Sequence, residues 1–563
     1  MKNLVSKILI CLLIIFNNAY SQDNANIIGN FSMFLQSYNK DTSINAKPVP
    51  EKVLINSFAN LIYYNKNFSA GIRYEGYLNP LEGYNKKNDG FGISYRFFAY
   101  KNNFIDVTVG NFYDQFGNGL IFRSYEDKNI GIDNALDGIK LKINLIKGLT
   151  IKGFFGRQRF SFSKNNFGYS STINKGLLKG IDFDINLNDM FVNKTNNNFQ
   201  MQLGFSFVTK YQENQLISIV NNDTTYSLKL PLNVGAFSTR IFVAYKSISF
   251  NCEYAYKIND PNLINNFIYK DANAFFGNLN FFSTYLGINF MVKYVDNFSF
   301  KSDRNAIAQD LDINYIPDIT KNHIYSFSAF YPYSSQFQNE IGASADISIK
   351  IPKSSFLGGK YGTLLKFYFS RMNDILKTIP DTSLNISQKG TIGYKTKFFG
   401  LGNSVLYQDI CVNFEKKFTK NFQLSLIYQN IRYNYKVLRG EEEKEEVFAN
   451  IFITDLSFKI GKKNLLRFEI QLLKTHQDMG DWFMFLTEYS YSPHFFFSFQ
   501  NQYNYGNKIQ KLHYPVVSLG YKINSTRFTI SYGKQKEGII CVGGVCRVVP
   551  STNGVFFTLN SSF

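Results

Sequence analysis

Residues 199–207 read FQMQLGFSF, a stretch in which apolar and polar side chains alternate along the chain. A period of two indicates a β-strand with one apolar and one polar face. The apolar positions here are Phe199, Met201, Leu203, Phe205 and Phe207, and the polar or small ones are Gln200, Gln202, Gly204 and Ser206. The same alternation recurs in residues 68–76, 139–145 and 181–188. The sequence therefore predicts an all-β protein.

The predicted strands are numerous and long. Roughly 26 segments show this pattern, and many reach about 10 residues, the length that a tilted strand needs to cross a bilayer. Strands of soluble sheets average about 5 or 6 residues. No apolar stretch beyond the first two dozen positions reaches the roughly 18 residues of a transmembrane helix. We therefore predict a single large transmembrane antiparallel β-barrel of roughly 22–26 strands.

The links between the predicted strands alternate in length. In the last third of the chain, short links at 417–421, 461–464, 492–494 and 524–526 alternate with longer ones at 439–446, 475–481, 505–511 and 536–553. Outer-membrane barrels have short periplasmic turns and long extracellular loops. When this alternation of short and long links is extended back toward the N-terminus, it places both termini in the periplasm. Residues 372–403 are the one stretch where an extended link falls on the short side.

Both ends of the chain fit an outer-membrane protein of a Gram-negative cell. Residues 1–21 combine a basic start with a short apolar run, which predicts a signal peptide, and leave 22–563 as the barrel. The chain ends in GVFFTLNSSF, whose Val555, Phe557, Leu559 and Phe563 look like the signal read by the barrel-assembly machinery, although Ser561 departs from it. The expected partners are therefore outer-membrane lipid and, during biogenesis, that machinery.

The composition agrees with a lipid-facing wall. The chain has 58 Phe and 38 Tyr but only 12 Pro, 4 His and 1 Trp. Phe and Tyr fit the lipid-facing surface and the interfacial girdles of a barrel. The formal net charge of +19 is spread thinly along the chain and forms no basic recognition helix. Nucleic acid is therefore not an expected partner.

Enzyme motifs are not evident in the sequence. The four histidines form no HExxH motif, and neither a GxSxG elbow nor a phosphate-binding P-loop occurs. His476 and Asp478 share a predicted outer loop, which leaves a membrane-embedded hydrolase as a third hypothesis. We expect no catalytic residues, no cofactor and no metal site.

Cys541 and Cys546 bracket Val542-Gly543-Gly544-Val545. Gly-Gly favours a two-residue hairpin turn, in which Val542 pairs with Val545 and the cysteines lie opposite one another. A cross-strand disulfide fits this register in an oxidising compartment. The alternative is half of a metal site, but no second Cys pair or His lies nearby to complete it.

Residues 110–138 are the most informative segment for function. The segment is too long and too rich in Gly, Asp and Arg for a simple turn. Its candidates for the lumen or outer mouth are Asp114, Arg123, Tyr125, Glu126, Asp127, Asp133 and Asp137. One hypothesis is a constriction or ligand-gripping loop, as in porins. The other is a self-satisfied plug that stabilises a wide barrel, with carboxylates and guanidinium groups paired at low dielectric constant.

Four stretches are more distinctive than the alternation. They are NFSAGIRYEGYLNP at 67–80, VTVGNFYDQFGNGLIFRSYED with GIDNALDG within 107–138, HQDMGDWFMFLTEYSYSP at 476–493 and YGKQKEGIICVGGVCRVVP at 532–550. They resemble a family of large outer-membrane proteins from Bacteroidota bacteria, described as a domain of unknown function. The resemblance covers essentially the whole mature chain. It implies location and architecture and supplies no catalytic residues.

A barrel of this size cannot fill its lumen with side chains from the wall alone. The leading hypothesis is a channel or conduit that carries solutes or macromolecules across the outer membrane. Lys140 and Lys142 would favour anions if they face the lumen, whereas Asp182 and Asp184 argue against uniform selectivity. The alternative is a non-conducting surface or secretion-accessory barrel with a plugged lumen and partner-binding outer loops.

Overall fold

The computed structural model describes residues 26–49, 51–84, 88–165, 168–191, 198–221, 224–380, 385–542 and 545–563. The predicted signal peptide lies outside these residues. Twenty-four strands form one antiparallel sheet that closes on itself. In chain order they are β1 Asn26–Ser37, β2 Val53–Asn65, β3 Phe68–Leu78, β4 Gly90–Lys101, β5 Ile105–Phe112, β8 Leu136–Ile146, β9 Leu149–Asn165, β10 Gly168–Asn186, β11 Phe199–Tyr211, β14 Asn233–Tyr245, β15 Ile248–Lys257, β16 Ala272–Phe282, β17 Leu286–Asp296, β18 Asn339–Ile351, β19 Thr363–Thr378, β20 Lys395–Lys417, β21 Phe422–Tyr433, β22 Val447–Ile460, β23 Asn464–Lys474, β24 Trp482–Tyr491, β25 Phe495–Asn504, β26 Leu512–Ile523, β27 Thr526–Gln535 and β30 Thr552–Ser562.

The remaining elements are short and belong to the connections. Three hairpins pair β6 Glu126–Asp127 with β7 Ile132–Asp133, β12 Ser218–Asn221 with β13 Thr224–Ser227, and β28 Gly538–Val542 with β29 Val545–Val549. In the part of the chain that the structure describes, the helices are α1 Leu187–Phe191, α2 Tyr435–Arg439 and a 3-10 turn at Thr42–Ile44. Within the described ranges, no helix is long and apolar enough to span a membrane.

The two faces of each barrel strand differ as the alternation predicted. On β3, Phe68, Ile72 and Tyr74 are 46–47% exposed on the outer surface, whereas Arg73 and Glu75 are buried inside. On β11, Phe205 points outwards while Ser206 is buried in the lumen. Backbone N–H and C=O groups are paired between neighbouring strands around the closed ring, which is what a wall surrounded by lipid requires. The fold is thus a large transmembrane β-barrel, and the prediction of roughly 22–26 strands is confirmed.

The ring closes where the ends of the chain meet. β30 pairs antiparallel with β1, from Gln36 opposite Phe556 to Asn30 opposite Ser562. Beyond this register the Phe563 N–H donates to the Gly29 carbonyl at 3.0 Å, and the Gly29 N–H donates to the Phe563 carbonyl at 2.9 Å. A Cβ at Gly29 would lie only 2.4 Å from the Phe563 ring, so a side chain there would displace the last residue. The C-terminal residue is therefore part of the seam.

The connections divide the barrel into two unlike rims. At the short-link rim most links are tight, as at residues 66–67, 102–104, 147–148, 246–247, 283–285, 418–421, 461–463, 492–494 and 524–525. The opposite rim, which we call the long-loop rim, carries the extended connections, among them 113–135, 212–232, 297–338 and 434–446. β1 begins and β30 ends at the short-link rim. The predicted alternation is confirmed.

Two links at the short-link rim are longer than the pattern predicts. They are 187–198, which contains α1, and 352–362. The expectation for residues 372–403 was wrong in its placement, because the link between β19 and β20 spans 379–394 at the long-loop rim. Register shifts between these strands after Met372 break the period of two on which the sequence prediction depended.

Candidate functional site: a plug built from two internal loops

Two of the long loops fold into the lumen. Loop A, residues 113–135, connects β5 to β8, and loop B, residues 297–338, connects β17 to β18. Their apolar side chains are almost completely buried: Phe116, Leu120, Ile121 and Phe122 in loop A are 0–1% exposed, and Phe298, Phe300, Ile313, Ile319 and Phe327 in loop B are 0% exposed. These side chains share one hydrophobic core with residues of the wall. We call the two loops together the plug.

The tip of loop A reaches across to β15. The Asn118 N–H donates to a Glu253 carboxylate oxygen at 2.6 Å, and the Asn118 side-chain amide donates to the same oxygen at 2.9 Å. Gly117 precedes this contact with a φ of 51°, and a Cβ there would lie 2.4 Å from the Glu253 carboxylate. Glycine is therefore needed both for the turn and for the close approach. The base of the loop is held by Phe122, which stacks on Phe154 of β9 with ring centroids 4.1 Å apart.

Charged groups fix the other end of loop A to the wall. The Asp133 carboxylate lies between the guanidinium groups of Arg73 on β3 and Arg159 on β9, and it accepts a hydrogen bond from the Tyr113 hydroxyl at 2.8 Å. Glu75 pairs with the same two arginines, at 2.7 Å from Arg73 and 2.6 Å from Arg159. We call these five side chains the Asp133 cluster. Each buried charge in it has a partner of opposite sign, the condition under which such burial is tolerated.

The acidic groups of loop A respond differently to this environment. Burial by itself would raise the pKa of the Asp133 carboxyl, but the charges of Arg159 and Arg73 and the Tyr113 hydrogen bond lower it below its ordinary value. Glu126 also approaches Arg73, at 3.0 Å. Its burial outweighs this attraction and raises the pKa of Glu126. The pKa values of Asp133 and Glu126 are therefore shifted in opposite directions, that of Asp133 by its paired guanidinium groups and that of Glu126 by burial.

The other residues proposed from sequence do not form one site. The Arg123 guanidinium lies over the ring of Tyr125 at 4.5 Å and over that of Tyr315 in loop B at 4.0 Å, which joins the two loops. Asp114 lies 3.8 Å from Lys140. Asp127 accepts a hydrogen bond from the Asn129 N–H in its own turn, and Asp137 pairs with exposed Arg96 at 3.2 Å on the outer side of the sheet.

Loop B crosses the lumen from one wall to the other. Near its start, the Ser302 hydroxyl donates to Gln158 of β9. Further along, His323 contacts Asp409 of β20 at 2.6 Å, and the Phe327 N–H donates to Gln471 of β23 at 2.9 Å. β23 is the twelfth barrel strand after β9 (β10, β11 and β14–β23), so the two contacts lie on opposite sides of a ring of 24.

Sequence reasoning did not identify loop B as part of the site. The available signal was the series of buried aromatic residues within an extended connection, Phe298, Phe300, Phe327, Tyr331 and Tyr333. His476 and Asp478 lie at the edge of this region: His476 is exposed, while Asp478 accepts hydrogen bonds from the hydroxyls of Tyr331 and Tyr435 at 3.3 and 3.2 Å.

The plug fills only the half of the lumen near the long-loop rim. Along β16, Ala272 and Ala274 are buried beneath it, whereas Asn278 and Asn280, nearer the short-link rim, are half-buried. Inward-facing positions in this second half are polar on many strands and include Asn413 and Ser498. The barrel therefore contains a polar vestibule that ends at the plug.

Three of the lumenal charges that the sequence singled out, Lys140, Asp182 and Asp184, are paired. Asp182 lies 2.8 Å from Arg240 and 3.4 Å from Lys152, and Asp184 pairs with the same two cations. Lys140 faces Asp114 of loop A. These pairs reduce any net field along this part of the wall, so Lys140 and Asp182 by themselves indicate no selectivity.

The cysteine pair lies in a hairpin above the barrel. In β28–β29, Cys541 is opposite Cys546 and Val542 is opposite Val545, which confirms the predicted register. The side chains of both cysteines lie outside the described part of the structure, so the disulfide stays a prediction. Of the other cysteines, Cys411 is buried and Cys252 is half-buried.

A closed antiparallel wall with an apolar exterior and a plug made of its own loops defines a large transmembrane β-barrel protein. The family model described as a family of unknown function, DUF6029, matches residues 1–563. The chain belongs to this family. The comparison with curated proteins found no match.

Solved structures similar to the chain include a receptor, a pilus assembly intermediate and a transporter. The siderophore receptor PirA from Pseudomonas aeruginosa matches with 9% identity and a TM-score of 0.39, over 96% of this chain and 81% of that one. A P pilus tip assembly intermediate from E. coli, PapC-PapD-PapK-PapG, matches with 8% identity and a TM-score of 0.43, over 97% and 62%. The copper transporter OprC matches with 8% identity and a TM-score of 0.40, over 97% and 81%. Likenesses this distant assign no ligand or activity to the chain.

Proposed function

We propose that the protein is an outer-membrane transport barrel that its own loops hold closed. The observation that carries the proposal is the unequal filling of the lumen, a polar vestibule on one side and a plug on the other. A barrel with a purely structural role would not need a polar half of the lumen that ends at a plug. The proposal is therefore a gated or partnered conduit, and it includes no catalytic activity.

The proposed orientation follows from the two rims. Short turns face the periplasm and long loops face the outside in outer-membrane barrels. On this basis the vestibule and both chain ends open to the periplasm, and the plug blocks the outer mouth. A cleaved leader at residues 1–21 and an origin in Bacteroidota bacteria belong to the same proposal.

One feature favours the second candidate, a non-conducting surface or secretion-accessory barrel. The plug is held by a continuous apolar core that includes Phe122, Phe298 and Phe327 together with wall residues such as Trp482. A core of this kind suits a permanent structure as well as a gate. In such a protein the remaining long loops would bind the partner.

Conductance measurements on the purified full-length chain distinguish the two candidates. We expect the wild-type barrel to show rare or small steps in a planar bilayer, and a variant with residues 115–134 replaced by a short Gly-Ser linker to show frequent large ones. A matched control replaces residues 505–511, a long-rim loop outside the plug, and should behave like the wild type. Folding of all three is checked by their resistance to unfolding in detergent at room temperature.

The outcomes lead to different conclusions. Large steps only in the variant without loop A support a conduit closed by the plug. Silence of both proteins, with both folded, contradicts the transport proposal and favours the surface-binding role. Large steps in the wild type would show that the plug does not close the barrel.

A further inference from the structure

A cavity of about 460 Å³ lies beside the plug. One side is formed by loop B, at Ser326, Ala329 and Phe330, and the other by the wall strands β25, β26, β27 and β30. Residues 534–539, which lead from β27 into the β28–β29 hairpin, complete the lining. The cavity thus lies at the boundary between loop B of the plug and the wall.

Lys536 is the unusual member of this lining. Its ammonium group lies 4.1 Å from the centre of the Phe330 ring and 5.2 Å from that of Trp482, so aromatic faces replace part of its hydration. It makes no ion pair within the described part of the chain. Lys534, two residues earlier, has a carboxylate partner, Asp41, at 2.7 Å. The carboxylates of Asp478 and Glu537 act on it only from beyond ion-pair distance, so a bound anion would supply the direct partner that this partly desolvated cation lacks.

Besides Lys536, two charged side chains line the cavity, Lys534, which pairs with Asp41, and the exposed Glu537; the other polar groups are neutral. Gln500 of β25 and Gln502, two positions along the same strand, line it with side-chain amides that have no hydrogen-bond partner among the described residues. The Ser531 hydroxyl also lines it and donates to Ser518. Amide N–H groups and an ammonium group are the donors that bind carboxylate or phosphate oxygens.

We propose that this cavity is a binding site for a small oxyanion, a carboxylate or phosphate group held by Lys536 and the amides of Gln500 and Gln502. The site would select anionic solutes at the boundary of the plug. This selectivity role rests on the proposed transport function, whereas anion binding itself does not. The volume of the cavity suits a metabolite-sized anion and excludes a folded protein.

The charge state of Lys536 gives the site a pH dependence. Burial lowers the pKa of Lys536 to about 8, an effect that Asp478 and Glu537 oppose and that Arg439 and Lys444 reinforce. The cationic form is present below this pH and is lost as the pH rises through it. Anion binding should therefore be strong at neutral pH and weak above pH 9 or so. An anion that binds only the cation must in turn raise the apparent pKa of Lys536.

The single tryptophan of the chain makes the protonation of Lys536 measurable. Trp482 is the only Trp, and it lies next to the Lys536 ammonium group, so its emission should change when that group loses its proton. We would titrate the full-length protein in detergent from neutral to alkaline pH, with and without inorganic phosphate or acetate. A sulfonate buffer too bulky for the cavity would keep the ionic strength constant. The expected midpoint rises by about one pH unit when the anion is at about ten times its dissociation constant.

Two variants test whether the change in Trp482 emission comes from Lys536. Lys536→Met should abolish both the transition and its response to anions, whereas Lys534→Gln should keep both because Lys534 already has its partner. The proposal is overturned if neither phosphate nor acetate moves the wild-type midpoint, or if Lys536→Met keeps the transition. Conductance is measured separately, so a silent barrel that still binds anions would contradict only the transport proposal.

Discussion

The Asp133 cluster provides the sharpest test of how loop A is held. In Asp133→Asn the side chain keeps its size but loses its charge, which leaves Arg73 and Arg159 facing Glu75 with one carboxylate fewer. Breaking a buried ion pair by removing one partner costs about 3–5 kcal/mol. The bonds of Glu75 to both arginines, at 2.7 and 2.6 Å, remain and partly compensate. We therefore expect a loss near the lower end, about 3 kcal/mol of loop A stability.

Hydrogen exchange measures this quantity directly. Two amides of loop A donate to backbone carbonyls inside it, Ser124 to Asp114 at 2.8 Å and Asn134 to Tyr125 at 3.2 Å. If they exchange through local opening of the loop, a loss of about 3 kcal/mol accelerates exchange about 100-fold. Mass spectrometry of peptides from residues 113–135 in detergent-solubilised protein would follow the rate.

Asp127→Asn is the matched control, since it makes the same change in the same loop. Asp127 bonds only to the Asn129 N–H in its own turn and has no ion pair within the described residues. Its exchange rates should stay within about threefold of the wild type, as expected for a surface substitution. Equal rates in Asp133→Asn and wild type would refute the idea that this cluster holds the loop. Faster exchange in barrel strands as well would indicate general destabilisation instead.

Three further predictions concern the wall and its closure. Deleting Phe563 removes two backbone hydrogen bonds at the seam, so less folded, heat-resistant barrel should appear in outer-membrane fractions; an unchanged amount would contradict the role of the last residue. Protein isolated from an oxidising compartment should resist alkylation at Cys541 and Cys546 until it is reduced, and immediate alkylation would exclude the disulfide. Phe205 is 48% exposed on the outer face of β11, so Phe205→Arg should lower the free energy of unfolding in vesicles by about 2–4 kcal/mol. Gln202→Arg, on the inner face of the same strand, should lower it much less. Equal losses in the two variants would contradict the assignment of faces.

The wall could be predicted from sequence because its physics is local. Lipid on one side and water on the other impose a period of two, so each strand carries its own evidence, as β3 and β11 show. The lengths of the links then predicted which links share the short-link rim and which share the long-loop rim. The prediction was wrong where pairing becomes irregular, in the register shifts between β19 and β20, and it did not anticipate the two longer links of the short-link rim at 187–198 and 352–362.

The plug could not be predicted in the same way because its contacts join distant parts of the chain. Asp133 was a candidate from sequence, but its partners Arg73 and Arg159 lie on different strands and were not candidates. The Asn134 amide bonds to the Asp312 carbonyl, 178 positions away. No pattern of spacing encodes such a pair. The aromatic content was likewise assigned to the lipid face, whereas part of it forms the core of the plug.

That apolar core limits how the barrel can open. Burying Phe116, Leu120, Ile121 and Phe122 contributes about 1.5–3 kcal/mol for each side chain, so expelling loop A into water costs about 6–12 kcal/mol before the Asp133 cluster is broken. Thermal opening at such a cost is too rare for a passive channel. A partner of nanomolar affinity, which releases about 12 kcal/mol on binding, could drive it. Without a partner, any solute path would have to run beside the plug, and we expect it to use the cavity at Lys536. Wild-type conductance that persists with both loops in place should therefore be anion-selective and should lose that selectivity in Lys536→Met, whereas partner-driven opening should be insensitive to this substitution.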